Sequence, residues 1–374
     1  MKTKPIGIYI HVPFCLRKCN YCDFCSFDNL DSLTRNKYIT RLIEEIKGYK
    51  SEKKTAVDTI FFGGGTPTLL TEEEFSLICE SLSDAFDISG VKEFTLEANP
   101  KTISKEKLHA FKLHGVNRIS LGLQSIHENE LKILGRIHSF EDFKDAYALV
   151  SECGISNINV DVMYGIPEQT KESFKETLSE IIKLKPTHIS AYGLILEEKT
   201  KFWHMRDKLN FPDEDAECDM YLLACDILSG GGYTHYEVSN YSLPEYSSQH
   251  NLKYWRCEEY IGFGVAAHSY FLGRRYANSA NLSEYLSEND RNYISGQKLS
   301  VEDKKYEYAM LSLRLSAGIS LPEYEERFSE SFLYGREEKV KKYANLGYLS
   351  LTDKRVALTE KGFYVSNTIL ADLL

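Results

Sequence analysis

Four cysteines fall within eleven residues near the start of the chain, in the stretch CLRKCNYCDFC at 15–25. Cys15, Cys19, Cys22 and Cys25 are separated by three, two and two residues. Thiols this close in sequence, in a chain without a secretory signal, point to a metal site before a disulfide. Zinc closes tetrahedrally on four ligands, usually as two CxxC-type pairs joined by a longer loop, and no second pair follows here. A two-cluster ferredoxin uses C-x2-C-x2-C-x3-C and carries a second such run, which this chain lacks. The remaining reading is that Cys15, Cys19 and Cys22 hold three irons of a 4Fe–4S cluster. The fourth iron then stays open for a small ligand, and Cys25 stands apart. The other five cysteines, Cys79, Cys153, Cys218, Cys225 and Cys257, are scattered, as buried small hydrophobes are in a reducing compartment.

Further polar residues gather at the ends of apolar runs. GGGTP at 63–67 offers close backbone approach and N–H groups for a carboxylate or phosphate; the plainer reading is a tight turn. Glu97, Gln124 and Asp161 lie in or at the ends of the third, fourth and fifth runs, and Arg136 follows in LGRIHS. Taken singly, each reads as a satisfied polar group or a surface charge. Together, behind a cysteine loop, they read as a site.

The elements that must position these residues are legible from periodicity. Strand-like runs are IGIYIHV (6–12), TIFFGG (59–64), EFTLEAN (93–99), RISLGLQ (118–124), INVDVMYGI (158–166) and HISAYGLIL (188–196). Helical patterns fall at 32–49, 72–86, 104–115, 140–154 and 171–184. Near-continuous apolar strands alternating with amphipathic helices predict a parallel sheet covered on one or both faces. Six units are fewer than a closed eight-fold barrel requires. The expected fold class is α/β, a partial (β/α)6 barrel spanning 1–230, with a doubly wound sheet as the second choice. Such a barrel places its site at the C-terminal ends of the strands. Residues 231–295, rich in aromatics and turn formers, are expected to add a sheet and loops over the barrel mouth. Residues 296–374 read as helices, a hairpin around Thr352–Lys354 and a final helix, a small winged-helix-like domain.

Composition bounds the function. The chain has 374 residues, 43% hydrophobic and 27% charged, which suits a soluble protein with a real core. A net charge of −10 argues against nucleic acid as the main partner. No run is long and apolar enough to span a bilayer, and the N-terminus reads as a first strand instead of a signal peptide, so the cytoplasm is expected.

The Cx3Cx2C spacing after a first strand resembles the radical S-adenosylmethionine (SAM) superfamily. In that family the open iron chelates the amino and carboxylate groups of SAM, and the reduced cluster drives carbon–sulfur homolysis. YIHVPFC, CNYCDF, GGGTPTLL, LEANP, RISLGLQS, LGRIHS, DVMYGIPEQT and YIGFGVAAHSY together are similar to the oxygen-independent coproporphyrinogen III oxidases and their relatives over nearly the whole chain. The resemblance implies cluster ligation by Cys15, Cys19 and Cys22. It implies SAM contacts at Tyr9, Tyr21, Gly64, Gly65, Thr66, Glu97, Gln124, Arg136 and Asp161, with Gly193 and His268 at two further positions whose residue types depart from the oxidase pattern.

That family divides. The oxidases resemble Cx3Cx2CxC and carry a long extension before the first strand; here Phe24 occupies the second place after Cys22, and fourteen residues precede Cys15. HNLKYW at 250–255 resembles the HNxxYW motif of the HemW-type haem chaperones. Imidazole is a common axial ligand of haem and aromatic faces pack on the macrocycle, so the resemblance implies haem binding by His250, Tyr254 and Trp255. Read without it, His250 is as well explained by a hydrogen bond in a polar loop, with Tyr254 and Trp255 in a core. The expected function is delivery of haem to acceptor haemoproteins, membrane-bound ones included, which would add a peripheral site at the membrane. The alternative is oxidative decarboxylation of coproporphyrinogen III, and a third reading is a radical SAM enzyme on an unrelated substrate. Whether SAM is cleaved, and whether the chain forms a homodimer, stay open at this point.

Overall fold

A computed structural model describes residues 4–287 and 296–374. The boundary expected at 295–296 therefore falls at the edge of 288–295, which lie outside the described residues.

Strand β1, Ile6–Val12, shows how the sheet is built. Ile6, Ile8, Ile10 and Val12 are each 0–1% exposed and join a core with Tyr38, Leu42 and Phe75 from the covering helices. The alternate residues, Gly7, Tyr9 and His11, face the inside of the sheet's curve. There a Cβ on Gly7 would meet Thr59 Oγ1 at 3.1 Å and His250 Cε1 at 3.2 Å. Strands β2 (Thr55–Gly64), β3 (Glu93–Ala98), β4 (Arg118–Gln124), β5 (Asn157–Tyr164) and β6 (His188–Gly193) follow in parallel, each hydrogen-bonded to the one before. Their outer faces carry Ile, Val, Leu and Phe. Their inner faces carry Thr59, Glu93, Thr95, Glu97, Arg118, Ser120, Asn159, Asp161, His188 and Ser190. An apolar outside packs on helices, while the polar inside needs internal partners.

The helices begin where side-chain caps stand. Asp31 caps Ser32–Lys47 and Ser104 caps Lys105–Leu113, while Thr71, Ser139 and Thr170 close capping boxes before Glu72–Ala85, Phe140–Glu152 and Lys171–Leu184. A further short helix, Glu128–Leu134, was not expected from the pattern; it ends on Gly135 in the left-handed region and delivers Arg136.

The six parallel strands form an arc extended at both ends. Tyr260–Phe263 adds in parallel to β1 and continues into antiparallel His268–Phe271, Arg274–Ala277 and Gln297–Lys298. On the other side Asn240–Ser242 adds antiparallel to β6, and Thr234–Glu237 adds antiparallel to Asn240–Ser242. After helix Val301–Ser312, a small sheet of Ile319–Ser320, Leu349–Leu351 and Arg355–Leu358 is packed by helices Leu321–Phe328, Glu337–Asn345, Glu360–Tyr364 and Ser366–Leu373. Among the described residues no helix is long and apolar enough to cross a membrane.

Candidate metal and cofactor site

The cysteine loop leaves the C-terminal end of β1 and is anchored by its own backbone. Cys15 N–H donates to Phe27 O at 3.0 Å, and Phe27 N–H donates to Pro13 O at 2.7 Å. The glycine turn after β2 docks on the same loop: Gly65 N–H donates to Val12 O at 2.8 Å and Thr66 N–H to Phe14 O at 2.7 Å. Glycine is required at both steps. Gly64 has φ +110°, and a Cβ there would lie 2.5 Å from the His11 ring; at Gly65 a Cβ would lie 2.7 Å from Phe14 O.

Between these two loops and the ends of β3–β6 lies a cavity of about 140 Å³. Cys15, Cys19 and Cys22 line it, and so do Tyr21, Gly64, Gly65, Thr66, Glu97, Gln124, Arg136 and Asp161. Cys25 does not. Its Sγ turns to Ala280 O at 3.5 Å, and its carbonyl accepts from His11 Nε2 at 2.7 Å. Tyr9 lies in the barrel below the cavity, its hydroxyl donating to His11 Nδ1 at 3.0 Å. Gly193 ends β6 against the Tyr164 ring, and His268 is exposed at the start of its strand; neither lines the cavity. Asn99, Ser120, Gly122 and Tyr192 do line it and were missed. The signal for Ser120 and Gly122 was their inward phase on the same strand as Gln124.

The cavity's charges are held in low dielectric. Arg136 Nη1 donates to Cys19 Sγ at 3.5 Å and Nη2 to Gly122 O at 2.7 Å, while its buried Nε has no partner. Asn99 Oδ1 is likewise buried without a partner. Glu97 Oε2 accepts from Gly64 N–H at 3.0 Å; burial, then the nearby Asp161, push its pKa up to about 7. Burial also raises Asp161, against hydrogen bonds from Asn159 Nδ2 at 2.7 Å and Ser120 Oγ at 3.2 Å. Burial pushes the Cys22 thiol up to about 11, so with no metal bound it stays protonated at neutral pH and metal binding releases its proton. Three convergent sulfur donors are a soft set suited to iron–sulfur or zinc. A single cavity with only three, beside partnerless guanidinium and amide atoms, fits a cluster with one open position and a polar ligand.

The chain matches the profile of the radical SAM superfamily over residues 9–181 and that of the HemN C-terminal domain over 299–365. It is 36% identical to "Heme chaperone HemW" of Lactococcus lactis, covering 100% of this chain and 98% of that one. It is 33% identical to "Heme chaperone HemW" of Bacillus subtilis, covering 98% of each. This chain belongs to the HemW family of radical SAM proteins. Its fold is shared with coproporphyrinogen III oxidase (HemN) from Escherichia coli, at a TM-score of 0.84 and 22% identity over 99% of this chain and 90% of that one.

In this HemW-family chain the HNLKYW stretch is not a loop over the cluster. It is a helix, Gln249–Trp255, set under the opposite, N-terminal ends of the strands. Glu93, the first residue of β3, accepts from Gln249 N–H at 2.7 Å, His250 N–H at 3.0 Å and Ser248 Oγ at 3.3 Å. His250 is 0% exposed, with Nδ1 2.9 Å from Thr59 Oγ1 and Nε2 2.8 Å from Tyr254 Oη. Burial, then Lys253 and Arg118, lower its pKa to about 3, so the ring is neutral. In this arrangement neither ring nitrogen faces space for an iron. Of the haem residues expected from the motif, His250 is a core histidine, Tyr254 is its partner, and Trp255 packs with Tyr236, Leu252 and Leu315. The expectation that 231–295 lies over the barrel mouth is corrected for this helix, because parallel pairing of Tyr260–Phe263 with β1 forces the preceding helix to the N-terminal end.

Proposed function

We propose that this chain binds haem and transfers it to acceptor haemoproteins, with Cys15, Cys19 and Cys22 holding a 4Fe–4S cluster whose open iron takes SAM. The observation that carries the reading is identity of 36% and 33% to HemW proteins over essentially the whole chain. Phe24 agrees with it. The oxidases are expected to carry a cysteine at that place, and here a phenylalanine stands 65% exposed at the cavity edge.

When bound, the cluster supplies a chelating iron and a source of single electrons. The chain's own residues supply recognition. Glu97 and Asp161 present buried carboxyl groups that the ammonium and sulfonium centres of a ligand would hold ionised, and Arg136 presents positive charge to its carboxylate. The glycine turn lets the backbone approach, and Tyr21 and Tyr192 close the sides against water.

The test is anaerobic reconstitution followed by haemin titration and a coproporphyrinogen assay on one preparation. Haemin should bind with a Soret band and no protoporphyrinogen should form. Turnover of coproporphyrinogen, or no haemin binding, overturns the reading.

A further inference from the structure

Of the five cysteines outside the N-terminal motif, Cys225 keeps company that a buried hydrophobe does not need. It lies on helix Glu214–Gly230 and is 2% exposed. That helix packs against Lys171–Leu184 and the edge strand Thr234–Glu237, and the edge strand carries His235. Glu360 is the first residue of helix Glu360–Tyr364, which belongs to the C-terminal domain. Three elements thus bring one thiol, one imidazole and one carboxylate together. Their ligating atoms all lie within 4.8 Å of one another.

The surroundings of the thiol are polar and lack a cation. Cys225 Sγ is 3.2 Å from Tyr241 Oη, and the Tyr241 ring stacks on His235 at a centroid distance of 4.2 Å. Tyr221, 4% exposed, places its Oη beside the same sulfur, and that oxygen is buried with no hydrogen-bond partner. The charges that act on the thiol most, Glu360 and Asp226, are both negative. Among the described residues Glu360 forms no ion pair.

The protonation states suit a metal. Burial lowers the pKa of His235 to about 4, so its imidazole is neutral at pH 7 and keeps a lone pair. Its Nε2 stands 3.4 Å from Val238 O, and a backbone carbonyl at one ring nitrogen is a common way to orient a ligating histidine. Burial keeps the Cys225 thiol protonated, and a bound cation would displace that proton. Thiolate, imidazole and carboxylate are zinc donors, and three of them leave the fourth tetrahedral place to water. Bonds of about 2.0–2.3 Å set tetrahedral ligand atoms roughly 3–4 Å apart. The exposed Glu360 side chain is free to close the remaining gap.

We propose that Cys225, His235 and Glu360 form a zinc site that ties the edge of the barrel to the C-terminal domain. Tyr364 Oη already donates to Glu214 O at 2.9 Å across the same junction, so the metal reinforces a contact that the fold makes. The site is independent of the haem-chaperone reading.

The experiment is cobalt(II) titration of the full chain carrying Cys15→Ala, Cys19→Ala and Cys22→Ala, so that the cluster thiols cannot capture the probe. One equivalent should bind with the visible bands of tetrahedral cobalt and a thiolate-to-cobalt charge-transfer band, and equimolar zinc should bleach both. Cys225→Ser in that chain should abolish the charge-transfer band. Glu360→Gln changes an exposed side chain and leaves the core packing alone. It should weaken cobalt binding at least roughly tenfold, the least that loss of even an outer partner costs. No saturable tetrahedral spectrum overturns the site, and so does a spectrum unchanged by Cys225→Ser. Binding lost in Cys225→Ser but unchanged in Glu360→Gln overturns the tie to the C-terminal domain.

Discussion

Glu93 and Glu97 stand on the same inner face of β3, one at each end of the barrel. Glu93 is 4% exposed and accepts three hydrogen bonds from the cap and first turn of the Gln249–Trp255 helix. Glu97 accepts one backbone hydrogen bond, from Gly64, and faces Asp161 across a cavity. At the first end Glu93 and His250 are fully bonded, while Trp255 Nε1 and Arg118 Nε are buried there without a partner. The other is left short of partners, and a ligand can complete it. In the motif that resembles a haem site the histidine has both ring nitrogens engaged, and the cysteine motif lies at the open end. Residue type alone does not distinguish a ligand from a structural histidine; the count of bonds already made does.

Four substitutions break or sharpen this contrast, from the largest effect to the smallest. Cys19→Ala removes one of three sulfur donors and leaves Arg136 Nη1 without its sulfur partner. Reconstituted iron and acid-labile sulfide should fall to near background, while the unfolding midpoint of the cluster-free chain changes little. Glu93→Ala at the closed end strips three donors of their acceptor in a buried place. Chemical denaturation should show a loss of about 3 kcal/mol or more, with iron content per folded chain unchanged.

Glu97→Gln probes the open end by pH. A carboxylate whose pKa rises on folding binds more protons folded than unfolded, so its favourable contribution is full below the unfolded value and lost as pH rises through the folded one. The cluster-free chain should therefore lose stability between pH 4.5 and about 7, on the order of 3 kcal/mol at most. Glu97→Gln should flatten that fall, as read by urea midpoints across the range. A wild-type curve already flat there removes the charge argument. Cys25→Ser should leave iron, sulfide and stability within error, since its thiol points at Ala280 and away from the cavity. Loss of the cluster in that variant would return the fourth cysteine to the site.

Much of the open end was legible in the sequence because its signals are local. The cysteine spacing, the glycine turn and the strand-end polar residues sit within short runs whose period of two already sets which residues face inward. Asn99 and Tyr192 were missed, since nothing in ANP or SAYG separates a cavity wall from a turn or a core strand. At the other end the family resemblance implied haem at HNLKYW, while the residues by themselves read as a hydrogen-bonded His250 with Tyr254 and Trp255 in a core. The tertiary structure shows that second arrangement. Thr59 and His250 are 191 positions apart and hydrogen-bonded, a contact fixed by which strand Tyr260–Phe263 joins and in which direction. Pairing of that kind is non-local, so the sequence by itself determined which residues could bind a metal. The sheet determined which of them still have a free atom to do it.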